Sequence, residues 1–478
     1  MHQRASETYR TAHPDAGCRG ITPRRGRAPC RVQGGALAAG GIPKGENMHA
    51  TIQSISAREV LGGSGRPTVE VTLTLESCLS VSASVPSGTS RGGHEAFELF
   101  DGEERFKGYG ARKAAANVRE RIAPALKGMS VLDLAAVDRR LIELDGTKDK
   151  SSLGANAILP VSVAAAKAAA LVTRLPVYRY LGGQAATRLP MPIATVIAGG
   201  EYSPSALPFE DFLYIVEGFS CFSEALEGLA ATRARLGELI TRRFGPVADV
   251  GGALAPPLES TREAFDIMLQ AARDTGCEGR MKLALDVAAN ELYDAETRTY
   301  ALGERRVTAP ELCGVYLDLV KEYPLMFIED PFHEDDFAAH ADLAAKLAAA
   351  GSRCTVVGDD LFATNPERIA RGIAEKAATE LLLKMNQIGT VTEAMHACKM
   401  AQENGMAVTL SLRSNETCDS FAADLAVAVG ADRIKSGSPV RAERNAKYNR
   451  LLGIDEELGT SARFAGAVQY SQKHSRTL

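Results

Sequence analysis

The stretch LMFIEDPF, Leu325–Phe332, decides the fold. Four apolar residues run without interruption into two acids and then a proline. An unbroken apolar run of this length is the signature of a strand buried on both faces, as in a parallel sheet. Carboxylates at its end must lie outside that core. The same grammar recurs in MKLALDVAAN (281–290), CTVVGDDL (354–361), ELLLKMNQ (380–387), AVTLSLRS (407–414) and DRIKSGS (432–438). Amphipathic stretches separate these runs. In NPERIARGIAEKAA, Asn365 supplies a cap and Pro366 a first helical residue, and Gly405 closes VTEAMHACKMAQENG. Strands alternating with helices imply parallel pairing, and repetition over about 290 residues favours a closed barrel over an open sheet. The charged strand ends then share one face.

Working backwards, TVEVTLTLES (68–77) alternates apolar and polar residues like a half-buried strand. ARKAAANVRERIAPALKG (111–128) and SSLGANAILPVSVAAAKAAALV (151–172) read as helices, with Pro160 expected to kink or break the second. The expected architecture is α/β: an N-terminal α+β domain over 51–187, followed by a TIM-type β/α barrel over 188–478. Residues 1–47 are arginine-rich and aperiodic. They read either as a basic targeting arm or as a disordered extension translated by mistake, and Met48, after Lys44-Gly45-Glu46, is the expected start.

Composition narrows the function. With 45% hydrophobic and 24% charged residues, a net charge of −4 and a pI near 6.1, the chain has no general attraction for nucleic acid or anionic membranes. No uninterrupted apolar run approaches the ~18 residues of a membrane span. Nine scattered cysteines without a CxxC pair argue against zinc and disulfides and for a reducing cytoplasm. Eight histidines form no HxxH cluster, so any metal is expected to be oxygen-ligated.

The strand ends bring Asp286, Glu329 and Asp359 to one face, with Lys384, Arg413 and Lys435. Three neighbouring carboxylates need a cation between them: either each pairs with a barrel lysine, or together they hold a metal. An all-oxygen set suits Mg²⁺. The apolar flank of Lys384 is expected to lower its pKa and make it a base. Arg413 and Ser414 offer a fork and a hydroxyl for phosphate, and Lys435 a cation for a carboxylate. A base, a divalent metal, a phosphate grip and a carboxylate grip specify proton abstraction next to a carboxylate.

From about Thr51 to Phe464 the chain resembles the enolase family. The resemblance is carried by AREVL, PTVEV, VPSGTSRGGHEA, LDGTKDKSSLGANAIL, LALDVAA, FIEDPFHEDD, VGDDLFATN, LLLKMNQIGTVTEA, SLRSNET and IKSGSPVRAERNAKYNRLLGIDEELG. It implies Asp286, Glu329 and Asp359 as ligands of a first Mg²⁺ and Lys384 as the base. Arg413 and Ser414 would hold the phosphate of a small phosphorylated acid, and Lys435 its carboxylate side. Ser90, in a mobile loop, would bind a second Mg²⁺. A homodimer is also implied.

The chain departs from the family on one side of the site. In VADVGGALAPPL (247–258), Val250 stands where the family has a glutamate that helps expel the substrate hydroxyl. Gln-Glu-Phe becomes Glu210-Asp211-Phe212, which leaves Asp211 as a shortened catalytic acid. Tyr202 and Leu412 align with histidines, and Arg91 replaces a threonine and adds a cation for a more anionic substrate. Three readings are open: an ordinary enolase, a non-catalytic binding relative, or an enzyme of changed reaction. The last is the expectation carried forward. It resembles carboxyphosphonoenolpyruvate synthase of phosphinothricin-type antibiotic pathways, which joins a nucleotide-activated phosphonoformate to 2-phosphoglycerate.

Overall fold

A computed structural model describes residues 49–88, 91–201 and 203–467. The N-terminal extension, Met48, Ser90 and Tyr202 lie outside the described residues. The chain begins with an antiparallel meander of Ile52–Leu61, Pro67–Leu75 and Ser80–Ser84. Val69, Val71 and Leu73 are fully buried on one face of its middle strand, which packs under the helix Ala155–Thr173. That helix runs through Pro160 unbroken, contrary to the expected break. Pro160 lies within the first two turns, so the helix forgoes little hydrogen bonding, and its burial on nearly every face outweighs the loss. The helix is long and apolar enough to cross a membrane by length and composition, but Asn156, Ser162 and Lys167 interrupt its apolar residues and most of it is buried inside the protein.

Eight strands then close a ring. In order they are Met191–Ala198, Asp211–Val216, Met281–Asp286, Leu325–Glu329, Thr355–Gly358, Glu380–Leu383, Ala407–Ser411 and Arg433–Lys435, the last pairing with the first. The helices between the later strands lie outside the ring. Asn365 caps Pro366–Glu375 by accepting from the Glu367 amide at 2.9 Å, and Gly405, at φ 77°, follows Val391–Glu403.

The expectation of uniform parallel pairing fails at one strand. Asp211–Val216 runs antiparallel to both Met191–Ala198 and Met281–Asp286. The described residues among 199–210 form no helix to carry the chain back across the sheet, so the strand returns directly beside its predecessor. A reversed strand presents its first residue where its neighbours present their last, and Asp211 stands opposite Asp286.

Two features hold the charged end of the ring together. Ser87 exchanges backbone hydrogen bonds of 3.1 Å with Asn415, pinning the loop after the meander beside Arg413 and Ser414. On the other side, the ring of Phe362 fills the space between Gly358, which precedes Asp359, and Gly372 on the outer helix. A Cβ at Gly358 would lie 2.6 Å from the Phe362 ring. Gly358→Ala is expected to destabilise the protein by about 1–3 kcal/mol through overpacking and to weaken metal binding by displacing Asp359. Phe362→Leu in the same chain should restore part of both. Denaturation midpoints and Mg²⁺ titration check this; an unchanged midpoint would show that the ring does not fix Asp359.

Candidate active site

Each charged candidate sits at or just past a strand end. Cross-strand register places Glu329 beside Asp286 and Ser411 beside Lys435. Lys435 Nζ donates to Asp286 Oδ2 at 2.6 Å and to Glu329 Oε2 at 2.7 Å, and lies 4.0 Å from Asp211 Oδ2. Burial works against its charge, but Asp286 and Glu329 prevail and hold its pKa well above the ordinary lysine range. Burial, and then the charge of Asp286, push Glu329 well above the usual carboxylate range. Asp211 accepts from Thr195 Oγ1 at 2.9 Å, and burial raises it to about 6 despite Lys435. Glu210 is raised by burial and by Asp286 and Asp211.

Lys384 pairs with Asp359, which also accepts from Gln387 Nε2 at 2.7 Å. Burial favours the neutral amine, as expected from its apolar flank. Asp359 and Glu329 nevertheless raise the pKa of Lys384 above its ordinary value, which corrects the expected lowering. The apolar flank forms the strand below; the charged neighbours across the barrel mouth decide the titration. Asp359 is itself lowered, because Lys384 and Arg413 overcome its burial.

The arrangement fits a divalent cation. Glu329 Oε1 is buried with no hydrogen-bond partner, and Asp286, Glu329 and Asp359 offer only oxygen donors, the set preferred by Mg²⁺. The tightest carboxylate cluster is Asp330, Asp359 and Asp360, with oxygens within 4.8 Å of one another. Asp330 is committed to the turn, since it accepts from the amides of Asp359 at 3.0 Å and Asp360 at 2.7 Å. Burial and Asp359 raise it to about 8. Asp360 accepts from Asn290 Nδ2 at 3.0 Å.

Arg413 is buried and donates to Glu95 Oε2 at 2.7 Å, while Ser414 is exposed beside it. Arg91 stays within its own loop: it donates to the Ala96 carbonyl at 3.3 Å, and its guanidinium lies 5.9 Å from the centre of the Phe100 ring. Its charge and that of Arg413 oppose the burial-driven rise of Glu98. Val250 ends one strand of a small hairpin, Ala248–Val250 with Ala253–Ala255. The adjacent Asp249 accepts from the Gly252 amide at 2.9 Å and pairs with Arg441. It locks the turn. Leu412 is buried.

Glu95, Gln387, Asn290 and Asp360 were not singled out from the sequence. GGHEA and the paired acids of GDD were visible, but only the fold shows which of these side chains face the strand ends. Beside the site lies a cavity of about 200 Å³ whose lining includes Glu201, Glu210, Glu291, Leu207 and Val287.

Comparison with known proteins agrees with this geometry. Residues 52–181 match the family described as "Enolase, N-terminal domain", and 186–473 match "Enolase, C-terminal TIM barrel domain". The chain is 49% identical to "Enolase" of Methanopyrus kandleri, over 86% of this chain and 97% of that protein. It is 47% identical to "Enolase" of Methanothrix thermoacetophila, over 89% of this chain and 100% of that protein. With "Enolase B" of Dictyostelium discoideum the identity is 44%, over 88% and 99%. An eight-stranded ring with lysines and carboxylates at one end and two matching halves make one conclusion: this chain belongs to the enolase family.

Proposed function

We propose that this protein is a Mg²⁺-dependent lyase that converts 2-phosphoglycerate to phosphoenolpyruvate. The observation that carries this reading is the meeting of Lys384–Asp359 and Lys435–Asp286–Glu329 at one end of the barrel. Asp286, Glu329 and Asp359 would hold Mg²⁺, which would supply positive charge to the substrate carboxylate. Lys384 takes the α-proton. Lys435 lies on the carboxylate side, and Arg413 with Ser414 grips the phosphate. Asp211, held by Thr195, is the carboxyl retained on the side where the 3-hydroxyl leaves as water. Ser90 in the loop is assigned to a second Mg²⁺. The described cysteines are free thiols, in keeping with the proposed reducing cytoplasm, and a homodimer is proposed from the family resemblance alone.

A second reading keeps the proton abstraction and changes the step after it. Val250 and the buried Leu412 cannot transfer protons, as expected of an enzyme that joins 2-phosphoglycerate to a nucleotide-activated phosphonoformate. The cavity beside the site favours dehydration, because Glu201, Glu210 and Glu291 are poor company for a second anion. The 44–49% identity to proteins named enolase favours it too.

Purified protein with Mg²⁺ is expected to form phosphoenolpyruvate, detected by ultraviolet absorbance. Lys384→Ala should cut kcat by about 10²–10⁴-fold, and Val250→Glu should raise it. Wild-type protein that exchanges the α-proton into heavy water without forming phosphoenolpyruvate would overturn dehydration and favour the joining reaction. Asp286→Ala should weaken Mg²⁺ binding by at least the ~10–100-fold that loss of an outer-shell partner costs; unchanged calorimetric affinity would remove Asp286 from the ligand set.

A further inference from the structure

The carboxylate of Glu95 is paired with Arg413, the guanidinium proposed above to grip the substrate phosphate. Its side chain is 2% exposed, and Oε2 lies 2.7 Å from Arg413 Nη1. Oε1 accepts from the Gly92 amide at 3.3 Å and lies 3.4 Å from Gln387 Nε2. The same Gln387 nitrogen donates to Asp359 at 2.7 Å. One loop carboxylate therefore touches the phosphate grip directly and a metal-ligand candidate through a single amide. The loop is tied down on its other side, where the Gly93 amide donates to Glu334 at 3.0 Å and His94 Nε2 lies 3.0 Å from Asp335 Oδ1.

A guanidinium buried this deeply is stable only among anions, and Glu95 is a direct one here, with Glu98 and Asp359 adding to it. Phosphate and carboxylate bind an arginine fork through the same charge-assisted hydrogen bonds, but phosphate brings more charge and more acceptor oxygens. Both cannot crowd one guanidinium without repulsion, and Glu98 already stands near Arg413.

We propose that Glu95 is a specificity-determining residue whose carboxylate holds Arg413 until a phosphate dianion displaces it. Monoanionic ligands fail to break the contact. The inference rests on Arg413 being the phosphate grip. Displacement of Glu95 also releases Gln387 from one of its two acceptors, so arrival of phosphate reaches Asp359.

Calorimetric titration of the full-length protein with inorganic phosphate, and with acetate as the monoanionic control, tests this. Glu95→Gln keeps the shape and removes the competing charge. It is expected to bind phosphate about 10-fold or more tightly than wild type, from the worth of a hydrogen bond to a charged group, and to narrow the preference for phosphate over acetate. The KM for 2-phosphoglycerate should fall in the same direction. Arg413→Gln should abolish phosphate binding. If it does not, the phosphate-grip reading fails. If Arg413→Gln abolishes binding while Glu95→Gln binds phosphate no more tightly than wild type, the displacement inference alone fails. Should Glu95→Gln not fold, Glu95→Asp, which draws the carboxylate back by one methylene, is expected to tighten phosphate in the same way. Unchanged or weaker affinity there overturns the proposal.

Discussion

The ion pair network around Lys435 is the constraint on which the site depends. Its ammonium lies between Asp286 and Glu329, with Asp211 behind, and all four belong to barrel strands. Isolated charges at this depth would each cost several kcal/mol, so the carboxylates can be concentrated only where cations answer them. Lys384 with Asp359 and Arg413 with Glu95 repeat the solution. A divalent ion held by Asp286, Glu329 and Asp359 would fit the same logic, as a further counter-charge to these carboxylates.

Barrel geometry turns that electrostatic requirement into a directed site. Parallel strands end together, so Asp286, Glu329, Asp359 and Lys384 arrive at one rim without any of them packing specially. The antiparallel strand adds Asp211 by the opposite route, since its start lies at the rim. The rim is sealed on two sides: Ser87 with Asn415 holds the loop that carries Glu95, and Asp330 binds the amides that orient Asp359 and Asp360.

Much of this was legible in the sequence for a simple reason. Strands buried on both faces have one place for charge, so runs such as LMFIED declare both a strand and a rim residue. DFLYIV was missed as a barrel strand because its charge comes first, which is the mark of reversed direction. Pro160 misled because local propensity yielded to burial of the whole helix. The apolar neighbours of Lys384 misled for a related reason: they describe the strand beneath it, whereas Asp359, 25 residues away, sets its charge. Glu95 was unreadable, since its partner lies 318 residues downstream and only the closed barrel brings the two together.

The acid side of the site shows how far such a balance can be shifted without dismantling it. Where the resemblance expects a carboxyl on the hairpin this chain has Val250, and where it expects a glutamine it has Glu210. Val250 lies on the outer strand of the hairpin, locked by Asp249 and Arg441, while the inner strand pairs with Met191–Ala198; Glu210 adjoins the first residue of a barrel strand and opens on the cavity beside Val287. A proton donor has to reach within hydrogen-bonding distance of the departing group, and positions at a strand end are held more firmly than positions at a hairpin tip. Carboxyls are thereby crowded around Asp211 and Asp286, where burial raises Glu210 and Asp211 above the usual carboxylate range. In that setting the counter-charge of Lys435 matters more to the site.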